Sequence, residues 1–130
     1  MAVLFPDIEK VIVAYLNGAL TASDYAGTVV ATKKALPDAE QPSTQIVVTV
    51  SYGREQDYVL KGASLTLDVW ADDYAEASGL ALWLEAVIRD LAGDPIKQVT
   101  VALGPVRGAD NTRQEHRMLD VQLLVKGSTI

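Results

Sequence analysis

The sequence predicts an α+β fold, a mixed and mainly antiparallel sheet of four to five strands with two helices packed on one face. Three observations lead there. Two segments carry apolar residues at helical spacing, further segments alternate apolar and polar residues with the period of a strand, and the order is helix, strand, hairpin of two strands, long helix, strand, strand. No internal repeat, low-complexity stretch or linker divides the chain, so residues 1–130 are expected to form a single domain.

The first helix is read from Phe5 to Leu16, where Ile8, Val11, Ile12, Tyr15 and Leu16 fall on one face. Pro6 suits its first turn, Asp7 and Glu9 complement the positive end of its dipole, and Gly18 is expected to end it. A β-branched run at Thr28 to Thr32 reads as a short strand, followed by a loop from Lys33 to Ser43 that contains Pro37 and Pro42.

Gln45 to Tyr52 alternates, with Ile46, Val48, Val50 and Tyr52 on the inner face. Gly53 to Asp57 looks like a turn, and Tyr58 to Trp70 resumes the extended pattern with Ala63, Leu65, Leu67 and Val69 inward. Together these form a hairpin, and Lys61-Gly62 suggests a bulge in its second strand.

Asp72 to Ala92 is the longest helical signal, capped by Asp72 or Asp73 and stopped by Gly93 and Pro95. Its core stripe is Ala77, Leu80, Ala81, Leu84, Ile88 and Leu91. Two strands follow, Ile96 to Leu103 with Val99, Val101 and Leu103 inward, and Arg117 to Val125 with Leu119, Val121, Leu123 and Val125 inward. Between them Gly104 to His116 reads as a polar excursion.

Composition closes several routes to function. With no cysteine there is neither a disulfide framework nor a thiolate, and one histidine cannot build a multi-histidine metal site. A formal charge of -6 makes the chain a poor partner for phosphate backbones, so specific nucleic-acid binding is not expected. No apolar run approaches the roughly 18 residues that cross a bilayer. The opening Met1 to Pro6 lacks a basic segment leading into an apolar one, so neither secretion nor membrane insertion is expected.

Phosphate-binding glycine loops, dinucleotide fingerprints, HExxH motifs and nucleophile elbows are missing from the sequence, and no catalytic residue, cofactor or metal is assigned. Asp72, Asp73 and Glu76 stand where helix capping calls for acids. Asp68 and Asp120 share a sheet face and would hold a proton or a metal only if their strands were neighbours in the right register. His116, beside Glu115 and Arg117, reads as an ordinary surface histidine, since nothing nearby in sequence offers a nucleophile for it to activate.

The outer face of the expected sheet is more informative. Gln45, Thr49, Ser51, Ser64, Thr66, Asp68, Gln98, Thr100, Asp120 and Gln122 recur there, polar but with little charge, which suits either solvent or a subunit contact. Trp83 falls about 100° around the helix from the core stripe, either anchoring an interface or capping the sheet edge of its own subunit. Candidate subunit-contact residues are therefore Trp70 and Trp83, the hairpin-tip residues Arg54, Glu55, Asp57 and Lys61, and the arginines Arg107, Arg113 and Arg117.

Several segments taken together resemble a known family. They are Phe5-Pro6-Asp7-Ile8-Glu9 with Val13-Ala14-Tyr15-Leu16, the strand Ile46 to Tyr52, Leu67-Asp68-Val69-Trp70-Ala71 running into Ala75-Glu76-Ala77-Ser78-Gly79-Leu80-Ala81, and Gly104-Pro105. The chain is similar over nearly its whole length to the tail-terminator, or minor tail, proteins of long-tailed bacteriophages, particularly those infecting actinobacteria. The resemblance implies a homo-oligomeric ring, a hexamer, that caps the completed tail tube, contacts the major tail tube protein and the head-tail connector, and resides at the tail-neck junction of the virion after assembly in host cytoplasm. DNA would pass through its lumen without specific binding, and no catalysis is implied. Alternatives are a tail-tube or head-completion protein and, from another class, a ferredoxin-like small-molecule-binding regulatory domain.

Overall fold

A computed structural model describes residues 2–33, 42–57, 59–91, 93–108 and 114–129, with the backbone alone for 54–57. In chain order the elements are β1 (Val3–Leu4), α1 (Ile8–Thr21), β2 (Val29–Ala31), β3 (Thr44–Asp57), β4 (Leu60–Ala71), α2 (Tyr74–Arg89), β5 (Ile96–Arg107), β6 (Glu115–Lys126) and β7 (Ser128–Thr129). The main sheet has five strands in the order β2-β3-β4-β6-β5. Only the β2–β3 pair is parallel, and the class is α+β as the periodicities predict.

One core joins the layers. Ile8, Ile12, Leu16 and Leu20 of α1 and Leu80, Ala81, Leu84 and Ile88 of α2 pack with inward residues of β3, β4 and β6. The four-residue spacing in α1 keeps its apolar side chains on one stripe as the helix turns by about 100° per residue. Both helices therefore cover the same face of the sheet. The chain passes from β4 through α2 to β5, which lies parallel to β4 with antiparallel β6 inserted between them.

Some boundaries differ from expectation for identifiable reasons. Pro6 lies before α1, and Asp7 is its N-cap, accepting from the Lys10 N–H at 3.2 Å. Gly18 does not end α1, which continues to Thr21. An interior glycine costs about 1 kcal/mol, whereas burying Leu20 one turn further contributes roughly 1.5–3 kcal/mol, so continuation wins. At α2 the cap is Asp73, whose Oδ1 accepts from the Glu76 N–H at 2.8 Å.

The hairpin is longer than the sequence suggests. Gly53 to Asp57 continues β3, and the irregularities in pairing fall on β3, between Tyr52 and Glu55 and between Glu55 and Asp57. Gly62 pairs without interruption to Leu124, so the expected bulge at Lys61-Gly62 belongs to the opposite strand. A methyl at Gly53 would sit 3.4 Å from the Gly62 carbonyl oxygen, so two glycines meet where the hairpin is tightest.

β5 and β6 also reach further than expected, taking in both ends of the stretch read as a polar excursion, up to Arg107 and from Glu115. Register shifts in β5 between Val101 and Leu103 bring Leu103 opposite Asp120 on the outer face, although its sequence parity places it inward. A bulge reverses parity, and alternation alone does not reveal one. The β1–β7 pair, unanticipated from sequence, ties the segment before α1 to the segment after β6. Residues 34–41 of the expected proline-containing loop lie outside the described residues.

Candidate functional site

The outer face of the sheet divides into two ends. Toward the start of β3 it is shielded, with Gln45 only 1% exposed and Val47 and Trp70 also buried. Trp70 and His116 are direct cross-strand partners, and their rings stack at 4.0 Å between centroids with 3° between planes. His116 Nε2 meets Asp68 Oδ1 at 2.7 Å, while Nδ1 is buried without a hydrogen-bond partner. His116 is thus half-buried and held by two neighbours, which corrects its reading as an ordinary surface histidine.

Toward the other end the small polar side chains satisfy one another laterally. Ser64 Oγ donates to Gln122 Oε1 at 3.2 Å, and Thr66 Oγ1 donates to Asp120 Oδ1 at 3.0 Å. Thr49 lies opposite Thr66 and Ser51 opposite Ser64, extending both rows across β3. Asp68 and Asp120 do lie on adjoining strands, but Asp68 is opposite Met118 and bonds His116 while Asp120 is opposite and bonds Thr66. The register gives each carboxylate its own partner rather than a shared site. Among the described residues no three His, Asp or Glu side chains gather as a metal site.

A second feature lies at the β5 edge, beside the first turns of α2. Tyr74, Ser78 and Leu82 of α2 face Pro105 and Arg107 of β5 and Arg117 of β6 across an open cleft of about 300 Å³. Arg117 is only 5% exposed. It donates to Glu115 Oε2 at 3.1 Å, to the His116 carbonyl at 2.9 Å and to Ser78 Oγ at 3.3 Å. Arg107 donates to the other oxygen of Glu115 at 3.2 Å. Both guanidiniums face the Tyr74 ring, Arg117 at 4.9 Å and Arg107 at 5.7 Å from its centroid.

Of the residues singled out from sequence, the structure unites Arg107 and Arg117, which face each other across β5 and β6. Arg117 is buried within its own chain, so its role is to shape the cleft rather than to reach outward. Trp70 is likewise buried on its own sheet face. Trp83 packs against Tyr25 of its own chain at 5.8 Å with planes tilted by 52°. It also borders a shallow groove between α1 and α2. Lys61 lies 5.2 Å from the centroids of both Phe5 and Tyr52. Arg113 and the side chains of Arg54, Glu55 and Asp57 lie outside the described residues.

Tyr74, Ser78 and Glu115 were not singled out for this cleft from sequence. The available signal was Tyr74 itself, an aromatic residue directly after the capping acids, where a helix of this kind normally presents a polar face. Two ionisable groups are shifted elsewhere. Burial, reinforced by Asp90, raises Tyr15 above the ordinary tyrosine value, and its hydroxyl donates to the Val87 carbonyl at 3.0 Å. Lys97, at 2.8 Å, lowers Asp94. No helix among the described residues is long and apolar enough to cross a membrane.

No family model and no curated protein matches this chain.

Proposed function

We propose that this chain is a structural subunit of a long-tailed bacteriophage that assembles with its own copies into a ring, a hexamer, closing the finished tail tube and joining it to the head connector. The observation that carries the reading is the one-sided sheet. Both helices cover one face, the open part of the other face carries short hydroxyl, amide and carboxylate side chains that bond laterally, and β2 and β5 are the end strands of the five-stranded sheet. Such a plate offers a polar surface of little charge and two end strands for docking.

The resemblance to tail-terminator proteins supports the same reading. Its most characteristic stretch, Leu67 to Ala71 followed by Ala75 to Ala81, spans the end of β4 and the first half of α2, the junction that links the sheet to its covering layer. In this role the partners are identical subunits, the major tail tube protein and the head-tail connector. Net negative charge suits a lumen through which DNA slides without being held. The role requires no catalysis.

Removing the gene from its phage and measuring tails by electron microscopy tests termination. The expected result is tails of uncontrolled length that fail to join heads; tails of normal length on intact particles would refute it.

A further inference from the structure

The geometry points to the Tyr74–Arg107–Arg117 cleft as a socket for the Asp24–Val29 edge of a second copy of this chain. This inference rests on the ring reading and specifies its contact. Among the described residues one carboxylate, Glu115, serves two guanidiniums, so the cleft lining carries an excess of positive charge in a chain whose net charge is -6. Arg107 remains 66% exposed in its side chain. The cleft walls are also apolar, for Tyr74 and Leu82 are 60% and 61% exposed. An occupant should therefore combine a carboxylate with an apolar neighbour.

The segment that leads into and begins the opposite end strand carries both kinds of side chain. Asp24 is exposed in the turn leading into β2, and Val29, on β2 itself, is 47% exposed. β2 and β5 are the two ends of the strand order, so a β5-edge socket receiving a β2-edge plug is a head-to-tail contact. Each copy then offers the next an unused socket, and repetition closes into a ring where the rotation permits.

Sedimentation of Arg107→Glu and Asp24→Arg, alone and mixed, tests the contact. Alone, each variant meets its own copies with like charges, and association should weaken by roughly tenfold or more. The first variant carries an acid at both positions and the second a base at both. In an equimolar mixture, alternating copies therefore set an acid against a base at every junction, and association should return. Leu82→Asp should weaken assembly without rescue, and far-ultraviolet circular dichroism spectra matching that of the parent chain establish that all three variants fold. Variants that associate like the parent chain, or a mixture that stays dissociated, would overturn this contact and leave the ring reading standing. A parent chain that stays monomeric at every concentration, alone and with tail tubes, would overturn both.

Discussion

The imidazole of His116 lies parallel to the Trp70 indole, 4.0 Å between ring centroids, and both belong to directly paired positions of β4 and β6. Pairing places the rings side by side on one face, and Asp68, two residues before Trp70, completes the arrangement by meeting Nε2. The remaining nitrogen faces Gly108, whose N–H donates to the His116 carbonyl at 3.1 Å. A side chain at Gly108 would fall on the imidazole ring. Gly108→Ala should therefore displace His116 from Trp70 and Asp68, costing about 1–3 kcal/mol. Urea unfolding followed by tryptophan fluorescence measures the loss, and an unchanged midpoint would mean that the ring has room to move.

Asp73 and Asp72 are adjacent acids with different work. Asp73 caps α2, while Asp72 accepts from Gln114 Nε2 at 3.2 Å. Asp73→Ala should destabilise the chain by about 1 kcal/mol, the usual loss of a helix cap. Asp72→Ala should cost less, since its contact is exposed. Thermal or urea denaturation of the two variants side by side decides the ranking.

Leu84 and Ile88 are fully buried beneath α2. Replacing Leu84 by Ala should cost about 2–5 kcal/mol through lost burial and a residual cavity. Leu82→Ala, one position from the core stripe's Ala81 but 61% exposed, should leave the monomer's stability within about 0.5 kcal/mol. Comparable losses at both positions would contradict the assignment of faces on α2.

Tyr15 gives a pH dependence of definite sign. Its proton is held more tightly in the folded chain than in the unfolded one, because burial and Asp90 disfavour the phenolate. Below the ordinary value of about 10 both states keep the proton and nothing changes. Above it the unfolded chain binds fewer protons than the folded chain, so stability falls as pH rises through that value toward the higher folded one. Tyr15→Phe should remove this part of the alkaline slope, read as a smaller drop in urea midpoint between neutral pH and pH about 11. Identical slopes in the two proteins would contradict the shift.

Much of the fold was legible because the core is periodic. Ile46, Val48, Leu65, Leu67, Leu119 and Val121 alternate as strands buried on one face must, and all are buried. The acid at the start of α2 and its stripe from Ala77 to Ile88 were equally readable. Bulges were not, since inserting one residue changes which face Leu103 occupies without changing its neighbours in sequence. The arginine cleft was half legible. Arg107 and Arg117 stood out individually, but their convergence on Tyr74 depends on β5 and β6 pairing in one register and on α2 crossing them. His116 was misjudged for the same reason, its surroundings being set by Trp70 and Gly108, both distant from its immediate neighbours in sequence.

Native mass spectrometry of the purified chain across a concentration series, alone and with isolated tail tubes, examines self-assembly without recourse to any substitution. A closed species of six copies, populated as concentration rises or when tubes are added, is the predicted result. A single-copy mass under every one of these conditions would contradict it.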